Sequence, residues 1–553
     1  MRRLIGYLVA LAVLLIMPML LQKKSEKIDL SADQLVLVSP HNESVRYEIE
    51  QAFRQFYLEQ TGRKVSLDWR SVGGASEIIR YLSSAYTANF RDFWVNEKKQ
   101  EWSEELALAL LNPKTAAESP HWAARQAFLR SDTSIGIDLF FGGGQYDFNK
   151  QAKAGTLVPC GVRERHPEWF EGKHPVLMEK LGGEIWYDRD DRYYGVCFSS
   201  FGICVNVHRL EQLGFDCSDG SPLTSWRQLA DPRLIKAIGL ADPSKSGSIN
   251  KCFEMLIQRQ MQDTMQRLHD DQAAGRLSRQ QALDQAWEDA INLIKQIGGN
   301  ASYLTFAASK VPVDAAQGQI AAGMCIDFYG RSQAEWANRL KGETLMQFQT
   351  PAAASTVSAD PVGILRGAPN PKLARIFVDF LLSERGQRLW NYRAGTPGGP
   401  QKYTLHRLPV RRDVYMQQDR LRMSAPDADP FELAGAFEYQ GAWTGPLFDV
   451  MRILIRVMVI DCEQELQQAW RAICSAGGPD KVPAAMAVFN QLPFAHHQAG
   501  EIANALRNAE GQANTTREWG VFFRTRFREA ARLAAISARA RNLESRVKRP
   551  LCW

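Results

Sequence analysis

Short runs of glycine and serine follow several predicted strands, and these residue types are suited to binding an anion. The runs are Pro40 to Asn42, Gly73 to Ser76, Gly142 to Gly144 and Ser246 to Ser248. Open α/β sheets bind ligands beyond the carboxyl ends of their strands, where unpaired backbone N–H groups and the helix dipole favour negative charge. Glycine lets the backbone approach a ligand closely, and serine adds a hydroxyl donor. The pattern indicates a site for a phosphate, phosphonate or carboxylate group.

Five residues in these runs are candidates for ligand binding: Ser76, Gly143, Gly144, Ser246 and Ser248. The alternative interpretation is that glycine and serine only mark strand-to-helix turns, as they do in any α/β protein. Several such turns that face one cleft favour the ligand-binding interpretation.

The elements that must position these runs alternate between strand and helix. Residues 34–39 and 64–69 have the short, β-branched pattern of strands, and residues 44–60 between them have helical periodicity. Residues 135–141 form a further apolar run that is typical of a buried strand. A β-α-β-α-β opening of this kind predicts a mostly parallel sheet.

The middle of the chain predicts a second sheet. Residues 194–207 are expected to form a strand pair, and residues 238–248 a strand followed by a helix start. Residues 324–328 and 359–365 are predicted strands, and residues 371–390 an amphipathic helix. Three further segments are predicted to be helical additions to this frame: residues 86–131, 252–297 and 426–553.

Length and composition agree with a two-lobed globular protein. A chain of 553 residues is too long for one ordinary compact domain. Its 45% hydrophobic and 23% charged residues are those of a folded body that is neither disordered nor polytopic.

The N-terminus has the pattern of an export signal. Arg2 and Arg3 precede an apolar run from Leu4 to Leu21, which Lys23 and Lys24 close. The run approaches the roughly 20 residues of a membrane-spanning helix, and no small-residue cleavage site follows it. We therefore expect residues 1–24 to be an uncleaved signal anchor, with a cleaved signal peptide and a buried core helix as the alternatives. The body is expected in the periplasm, tethered to the inner membrane.

The cysteines exclude two common classes of site. The chain has nine cysteines and none forms C-x-x-C, so neither a zinc ribbon nor a thioredoxin motif is present. Export permits disulfides, and Cys160, Cys197, Cys204 and Cys217 are close enough in sequence for one bridge.

The net charge of +6 is concentrated near the C-terminus. Residues 517–549 contain ten Arg or Lys against three Glu, which is +7 and leaves about −1 for the rest of the chain. A nucleic-acid-binding role is therefore not expected. Arginines here alternate with Phe522, Phe523, Phe527 and Leu533, so this helix is predicted either to lie on anionic lipid or a partner or to pack on the lobe.

The order of several motifs resembles the family-1 bacterial extracellular solute-binding proteins, which are type II periplasmic binding proteins of ABC importers. The resemblance covers roughly residues 33–414. It is carried in order by LVLVSPHNE, FRQFYLEQTGRKVSLDWRSVGGASEIIRYL, IDLFFGGGQYDF, GTLVPC, SWRQLADPRLIKAIGLADPSKSGS, QGQIAAGMCIDFYGRS and DPVGILRGAPNPKLARIFVDFLLSERGQRLW. It implies an α/β fold of two lobes with ligand held in the cleft between them.

The resemblance also implies domain boundaries. Lobe 1 is expected over 33–190 and 330–425, with a helical insertion at 86–131. Lobe 2 is expected over 191–329, with a helical insertion at 252–297, and residues 426–553 form a helical extension. Ser246 and Ser248 match the position where the family often contacts an anion.

The resemblance leaves two ligand classes open. Ferric binders of this family supply a histidine after the first strand, which His41 matches, but the glutamate expected after the third strand is replaced by Gly142 to Gly144 and the tyrosine pair reads Phe328-Tyr329. A ferric ion requires more anionic oxygen donors than this. The glycine run and Tyr329 instead resemble the sugar-phosphate and phosphonate binders, and the Tyr329 hydroxyl would donate to the ligand. Arg331 is expected either to pair with the anionic group or to form a surface salt bridge. His41 is expected either to contact the ligand or to be a hydrogen-bonded residue at the helix start.

The resulting hypothesis is a solute-binding component of an ABC importer that captures a small anionic solute, such as a phosphorylated sugar, a phosphoglycerate or a phosphonate. Its expected partners are that solute, a permease in the membrane, and the membrane itself through the anchor. No cofactor or metal is expected, and the sequence contains no G-x-S-x-G, H-E-x-x-H or Walker motif of an enzyme. The alternatives are a ferric-ion binding protein and a sensory or scaffold protein that uses the same clamp.

Overall fold

A computed structural model describes residues 32–218 and 223–547, with the side chains of 542–547 left out. The predicted signal anchor over residues 1–24 lies outside the described residues. Among the residues that are described, no helix has the length and apolarity that a membrane crossing requires.

The described strands form one small hairpin and one large sheet, whose two halves meet at the long strand β7 (Tyr194–Asn206) and are called the first and the second sheet. They are β1 Asp33–Val38, β2 Val65–Arg70, β3 Leu139–Phe141, β4 Leu157–Val158, β5 Lys180–Leu181, β6 Glu184–Ile185, β7 Tyr194–Asn206, β8 Ile238–Ala241, β9 Ala301–Thr305, β10 Ala322–Ile326, β11 Met346–Gln349, β12 Val357–Leu365 and β13 Leu408–Pro409.

The helices up to residue 391 flank this sheet. They are α1 Glu43–Thr61, α2 Ala75–Asp92, α3 Glu104–Leu110, α4 Trp122–Arg130, α5 Gln145–Ala154, α6 Val162–Arg165, α7 Val207–Gln212, α8 Gly247–Arg267, α9 His269–Ala273, α10 Arg279–Gly299, α11 Lys310–Ala316, α12 Asp327–Lys341, α13 Pro371–Leu382 and α14 Glu384–Asn391.

Residues 392–416 are mostly irregular, and from residue 417 onward the described chain is largely helical. The helices of this part are α15 Gln417–Arg420, α16 Pro430–Gly435, α17 Gly441–Thr444, α18 Phe448–Ile455, α19 Glu463–Ser475, α20 Pro483–Phe489, α21 Ala499–Ala505 and α22 Ala509–Val547. Two π-helical turns, Phe93–Glu97 and Arg456–Asp461, follow α2 and α18 directly.

Strand β7 joins two lobes because it belongs to both halves of the sheet. The strand order is β2-β1-β3-β12-β7-β10-β8-β9. The first half of β7 pairs antiparallel with β12, from Tyr194 to Ser200, and the second half pairs with β10, from Phe201 to Val205. Strands β1, β2 and β3 are parallel to one another in lobe 1, and β8 is parallel to β9 and β10 in lobe 2. The predicted fold class, an α/β protein of two lobes with helical additions, is confirmed.

The structure differs from the predicted strands and helices in three places. Residues 194–207 do not form a strand pair: β7 is one strand of 13 buried residues, because no turn interrupts it and its two halves find different partners. The predicted strand 135–141 is ordered as a strand only from Leu139. The predicted helix 371–390 is broken at Ser383, whose side chain caps α14 by accepting a hydrogen bond from Gly386.

The second lobe continues beyond residue 329, where the resemblance placed its end. Strand β11 pairs with the lobe 2 half of β7, from Asn206 to Ile203, so residues 346–349 lie in the second sheet. The edge of that sheet has room for this strand because β7 extends past β12.

No disulfide joins the four clustered cysteines. Cys160, Cys197 and Cys204 form no disulfide with any cysteine of the described residues. Cys197 and Cys204 are seven residues apart on the same extended strand, which separates them too far for a bridge. Cys160 lies near the backbone of Arg192 and Cys217 near that of Val207, at different places in the fold.

The C-terminal extension packs on lobe 2. Phe523 and Phe527 of α22 are fully buried, and the ring of Phe527 lies 5.6 Å from that of Phe489 in α20. The buried Lys295 ammonium of α10 donates hydrogen bonds to the carbonyls of Phe489 and Gln491 at 2.8 and 3.0 Å. The apolar face of α22 therefore belongs to the core of the second lobe.

We expect Phe523→Ala to lower the free energy of unfolding by about 3–5 kcal/mol, because it opens a cavity in a core that the extension shares with lobe 2. Val521→Ala is the matched control on the same helix, since Val521 is 61% exposed, and should change stability by less than about 0.5 kcal/mol. Urea unfolding of both variants measures the difference. Equal losses would contradict the shared core.

Candidate functional site

A cavity of about 850 Å³ lies between the two lobes, and residues predicted from the sequence surround it. Seven of the eight candidate site residues line it: His41, Ser76, Gly143, Gly144, Ser246, Ser248 and Tyr329. They come from both lobes, at the ends of β1, β2, β3, β8 and β10 where the chain turns into the next helix. The residues that were predicted from the turn pattern therefore lie together around one cavity.

Three helices begin at the cavity. Gly74 and Gly144 are the residues that precede α2 and α5, and neither supplies a side chain to cap the helix. Ser246 precedes α8, and its hydroxyl accepts a hydrogen bond from the Ile249 N–H at 3.4 Å and contacts the Ser248 hydroxyl at 3.0 Å. The free N–H groups and the positive ends of three helix dipoles therefore face one space.

The glycine run after β3 is required by close packing as well as by backbone conformation. Gly142 and Gly143 have φ of +87° and +118°, values that side-chain-bearing residues rarely adopt. A Cβ on Gly142 would also overlap the imidazole ring of His41. These glycines bring the start of α5 against His41.

A buried charged network forms one wall of the cavity, where β12 and β13 both pair with β7. Asp360 lies opposite Cys197 in the sheet, and Arg407 directly precedes β13, which pairs at Phe198 and Cys197. The Arg407 guanidinium is paired with the Asp360 carboxylate and donates to the Cys197 sulfur at 2.9 Å. The side chain of Arg407 is 3% exposed, and its Nε has no hydrogen-bond partner in the described part of the chain.

His41 and Tyr329 join this network. The His41 Nε2 lies 3.7 Å from Asp360, and its Nδ1 lies 3.2 Å from the Ser39 hydroxyl. Burial lowers the pKa of His41, so the imidazole is neutral near pH 7. Burial acts to raise the pKa of Asp360, but Arg407 and His41 outweigh it, and the pKa lies below its ordinary value. Burial also raises the pKa of Tyr329, which remains a neutral phenol that can donate a hydrogen bond.

Arg331 is the one candidate that the structure does not bring to this cavity. It lines a separate surface pocket with Glu335, Phe348, Arg393 and His406. Arg331 lies two residues after Tyr329 in α12, so the helix directs the two side chains to nearly opposite sides.

The C-terminal extension supplies a third wall. Tyr439, Gly445 and Phe448 line the cavity beside the two lobes. Asp449 of α18 accepts a hydrogen bond from Tyr146 of lobe 1 at 3.0 Å, and the Phe448 carbonyl accepts one from Asn250 of lobe 2 at 2.9 Å. The extension therefore contacts both lobes at the mouth of the cleft.

Arg452 strengthens this bridge between the lobes. Its Nη1 donates to the Ser76 hydroxyl at 3.3 Å, at the start of α2, and its guanidinium lies beside Gly247 at the start of α8.

Several cavity residues were missed by the sequence analysis. Arg407 and Asp360 gave no local signal, because they meet only when distant strands pair. Lys251 and Glu254 did have one: with Ser248 they recur at every third position of α8, which places them along one side of the helix. Charged residues at this spacing, directly after a helix start that is capped by serine, are a local signal for a side of the helix that lines a binding site.

Nothing in the described residues forms a group of three or more His, Cys, Asp and Glu side chains that could hold a metal ion. His41 and Tyr329, the two positions that match ferric ligands, do line the same cavity. The Arg407 guanidinium stands next to them and already holds the nearby carboxylate of Asp360. A ferric ion at this place would therefore lie beside a buried guanidinium.

Part of the chain matches the model of a known protein family. Residues 173–409 match the model of the bacterial extracellular solute-binding protein family. The chain is also 23% identical over 254 residues to an uncharacterized protein of Haemophilus influenzae, a match that covers 46% of this chain and 60% of that protein. The chain therefore spans about three fifths of the length of this relative.

Solved structures of periplasmic binding proteins are similar to this chain at low identity. AfuA of Actinobacillus pleuropneumoniae, with fructose-6-phosphate bound, is 17% identical, with 64% of this chain and 81% of AfuA covered and a TM-score of 0.39. Iron-bound HitA of Pseudomonas aeruginosa is 14% identical over 76% and 99% of the two chains, with a TM-score of 0.44. The spermidine/putrescine transporter protein PotD of Streptococcus pneumoniae is 13% identical over 76% and 100%, with a TM-score of 0.43.

The matched segment runs from the hairpin of β5 and β6 through β7, the start of α8 and Tyr329 to Arg407, and so contains much of the cavity wall. This part of the chain is similar to the bacterial extracellular solute-binding protein family.

Proposed function

We propose that this chain is the solute-binding component of an ABC importer and that it captures a small anionic solute in the cavity between its lobes. The observation that carries the proposal is the meeting of three helix N-termini with the buried Arg407 guanidinium at one cavity. An anion there would accept hydrogen bonds from backbone N–H groups and from Ser76, Ser246 and Ser248.

The electrostatic balance of the cavity supports an anionic ligand. Each helix N-terminus carries about half a positive charge, and Arg407 adds a full one in a place from which water is largely excluded. Asp360 neutralises much of that charge, but the Arg407 Nε is left without a partner among the described residues. A bound oxyanion would supply the acceptor that this N–H lacks.

The two-lobed frame supports capture by closure. Strands β7 and β12 pair along the junction of the two sheets, so a bend in them would move Ser76 and Gly144 of lobe 1 relative to Ser246 and Ser248 of lobe 2. A ligand that contacts both sides would stabilise the closed arrangement. The closed form would then present its solute to a membrane permease, from a periplasmic position that an N-terminal anchor would maintain.

The first test is a ligand panel. The full-length chain should gain thermal stability with glucose 6-phosphate, 3-phosphoglycerate or methylphosphonate, because a ligand that binds only the native state stabilises it by mass action. At a concentration of 100 Kd the gain corresponds to about 2.7 kcal/mol. Uncharged glucose is the control. A coloured complex with ferric ion, and no shift with any of these anions, would contradict the proposal.

Replacement of both serines at the start of α8 tests the site. We expect Ser246→Ala with Ser248→Ala to weaken binding of the active anion by about 10- to 100-fold, since two hydroxyl donors to a charged group are lost. Ser244→Ala, in the same loop but outside the cavity lining, is the control. Isothermal titration calorimetry measures the affinities, and circular dichroism verifies that the variants fold. Unchanged affinity in the double variant would remove these serines from the site.

The pH dependence of binding should follow Asp147, which lines the cavity at the start of α5. Burial raises its pKa from 3.8 to about 6, so the carboxyl is mostly neutral at pH 5 and becomes charged as the pH rises through 6. The charged form repels an anion. Asp147→Asn should therefore bind the anion more tightly than the native protein, by a factor that grows between pH 5 and pH 7.5.

Asp190→Asn is the control for this series, because Asp190 is 72% exposed on the surface. Calorimetry measures the affinity of each protein at each pH. The ratio of variant to native affinity removes the effect of ligand titration, which is the same for both proteins. A ratio for Asp147→Asn that stays constant across the range would show that this carboxyl does not act on the ligand.

A further inference from the structure

We propose that the cavity contains a second subsite, formed by Glu184, Lys251, Glu254 and Tyr439, which binds the hydroxyl groups of a sugar whose phosphate lies at the start of α8. This inference rests on the proposed function and narrows its solute to a sugar phosphate. We call these four residues the hydroxyl subsite.

The hydroxyl subsite is assembled from three separate parts of the chain. Glu184 belongs to the β5–β6 hairpin of lobe 1, Lys251 and Glu254 belong to α8 of lobe 2, and Tyr439 belongs to the C-terminal extension. All four line the cavity. The Lys251 ammonium lies 2.8 Å from the Glu184 carboxylate and 2.9 Å from that of Glu254. It also lies 4.1 Å from the centre of the Tyr439 ring.

Glu184 and Glu254 differ in the number of hydrogen bonds that their carboxylates accept from the protein. Glu254 accepts hydrogen bonds from the Tyr439 and Thr444 hydroxyls at 2.7 and 2.6 Å in addition to its ion pair with Lys251. Within residues 32–218 and 223–547, the Glu184 carboxylate pairs with Lys251 and accepts no hydrogen bond from a hydroxyl or an amide. A carboxylate accepts about four hydrogen bonds. Glu184, which is 5% exposed, can therefore accept further hydrogen bonds from a ligand in the cavity.

Helix α8 sets the distance between the two ends of the site. Ser248, Lys251 and Glu254 all line the cavity and recur at every third residue. With a rise of 1.5 Å per residue, Ser248 and Glu254 lie about 9 Å apart along the helix axis. A solute with its phosphate at the positive end of α8 would therefore reach the hydroxyl subsite only if it carried a body of several carbon atoms.

The chemistry of the subsite matches hydroxyl groups. A hydroxyl both donates and accepts hydrogen bonds. The subsite offers carboxylate acceptors in Glu184 and Glu254 and an ammonium donor in Lys251, and the Tyr439 oxygen can accept because its proton is donated to Glu254. A ligand ammonium only donates, and it would have to lie next to the Lys251 cation. The rings of Tyr439, Phe448 and Phe201 give the same cavity apolar surface, on which the C–H face of a sugar can pack.

The test compares two probes on the full-length chain by calorimetry: glucose 6-phosphate, which has the sugar body, and methylphosphonate, which has only the anionic group. We expect the native protein to bind glucose 6-phosphate more tightly. Glu184→Gln should weaken glucose 6-phosphate by about 10- to 100-fold, because hydrogen bonds to a charged acceptor are lost, and should leave methylphosphonate unchanged. Tyr439→Phe, which removes one hydroxyl, should act in the same selective way.

Glu179→Gln is the matched control, since Glu179 precedes the same hairpin and pairs with Arg189 outside the cavity. If Glu184→Gln fails to fold, Tyr439→Phe carries the test alone. Equal loss of both probes, or no loss of either, would overturn the inference and leave the proposed anion site standing. Tighter binding of phosphoethanolamine than of glucose 6-phosphate would also overturn it, in favour of an ammonium ligand. If neither probe nor inorganic phosphate binds, the proposed function fails, and this inference fails with it.

Discussion

Strand β7 constrains everything else in this molecule, because one extended segment of 13 buried residues serves as the common strand of two sheets. Its first half pairs with β12 and β13, and its second half with β10 and β11. A strand that is buried along its whole length and has partners on both edges cannot shift its register without breaking these pairings and turning its side chains to the opposite face of the sheet. The position of each lobe, and of the cavity between them, follows from this one register.

The charged network of the cavity is a direct consequence of that register. Asp360 of β12 lies opposite Cys197, and Arg407 meets the same cysteine from the other side because β13 begins at the next residue. A buried guanidinium is stable only when it is paired, and the pairing with Asp360 allows Arg407 to stand at a cavity wall. His41 is added at the end of β1, where glycine at position 142 leaves room for its ring.

The C-terminal extension changes what a two-lobed clamp can do. It shares a hydrophobic core with lobe 2 through α22, and it reaches across to lobe 1 through the contacts of Asp449 with Tyr146 and of Arg452 with Ser76. Movement of one lobe relative to the other must therefore either break these polar contacts or move the contacting residues together. Because Tyr439 and Phe448 stand in the cavity wall, the extension also takes part in shaping the space that a solute would occupy.

The sequence alone determined the fold class and most of the candidate residues that line the cavity, since strand and helix periodicity and the residues at strand ends are local properties. The prediction of His41, Ser76, Gly143, Ser246 and Tyr329 placed them at turns, and seven of eight candidates line one cavity. Arg331 is the exception, because residues two apart in a helix point to nearly opposite sides of it, and Tyr329 occupies the cavity side.

Only the tertiary structure decided which charged groups meet. Arg407 and Asp360 are 47 residues apart, and Glu184 and Lys251 belong to different lobes. Their contacts depend on strand pairing and lobe packing, which no local pattern records. The single strand at 194–206, which was predicted as a pair, shows the same physical limit: whether an apolar run turns or continues depends on the partners that it finds.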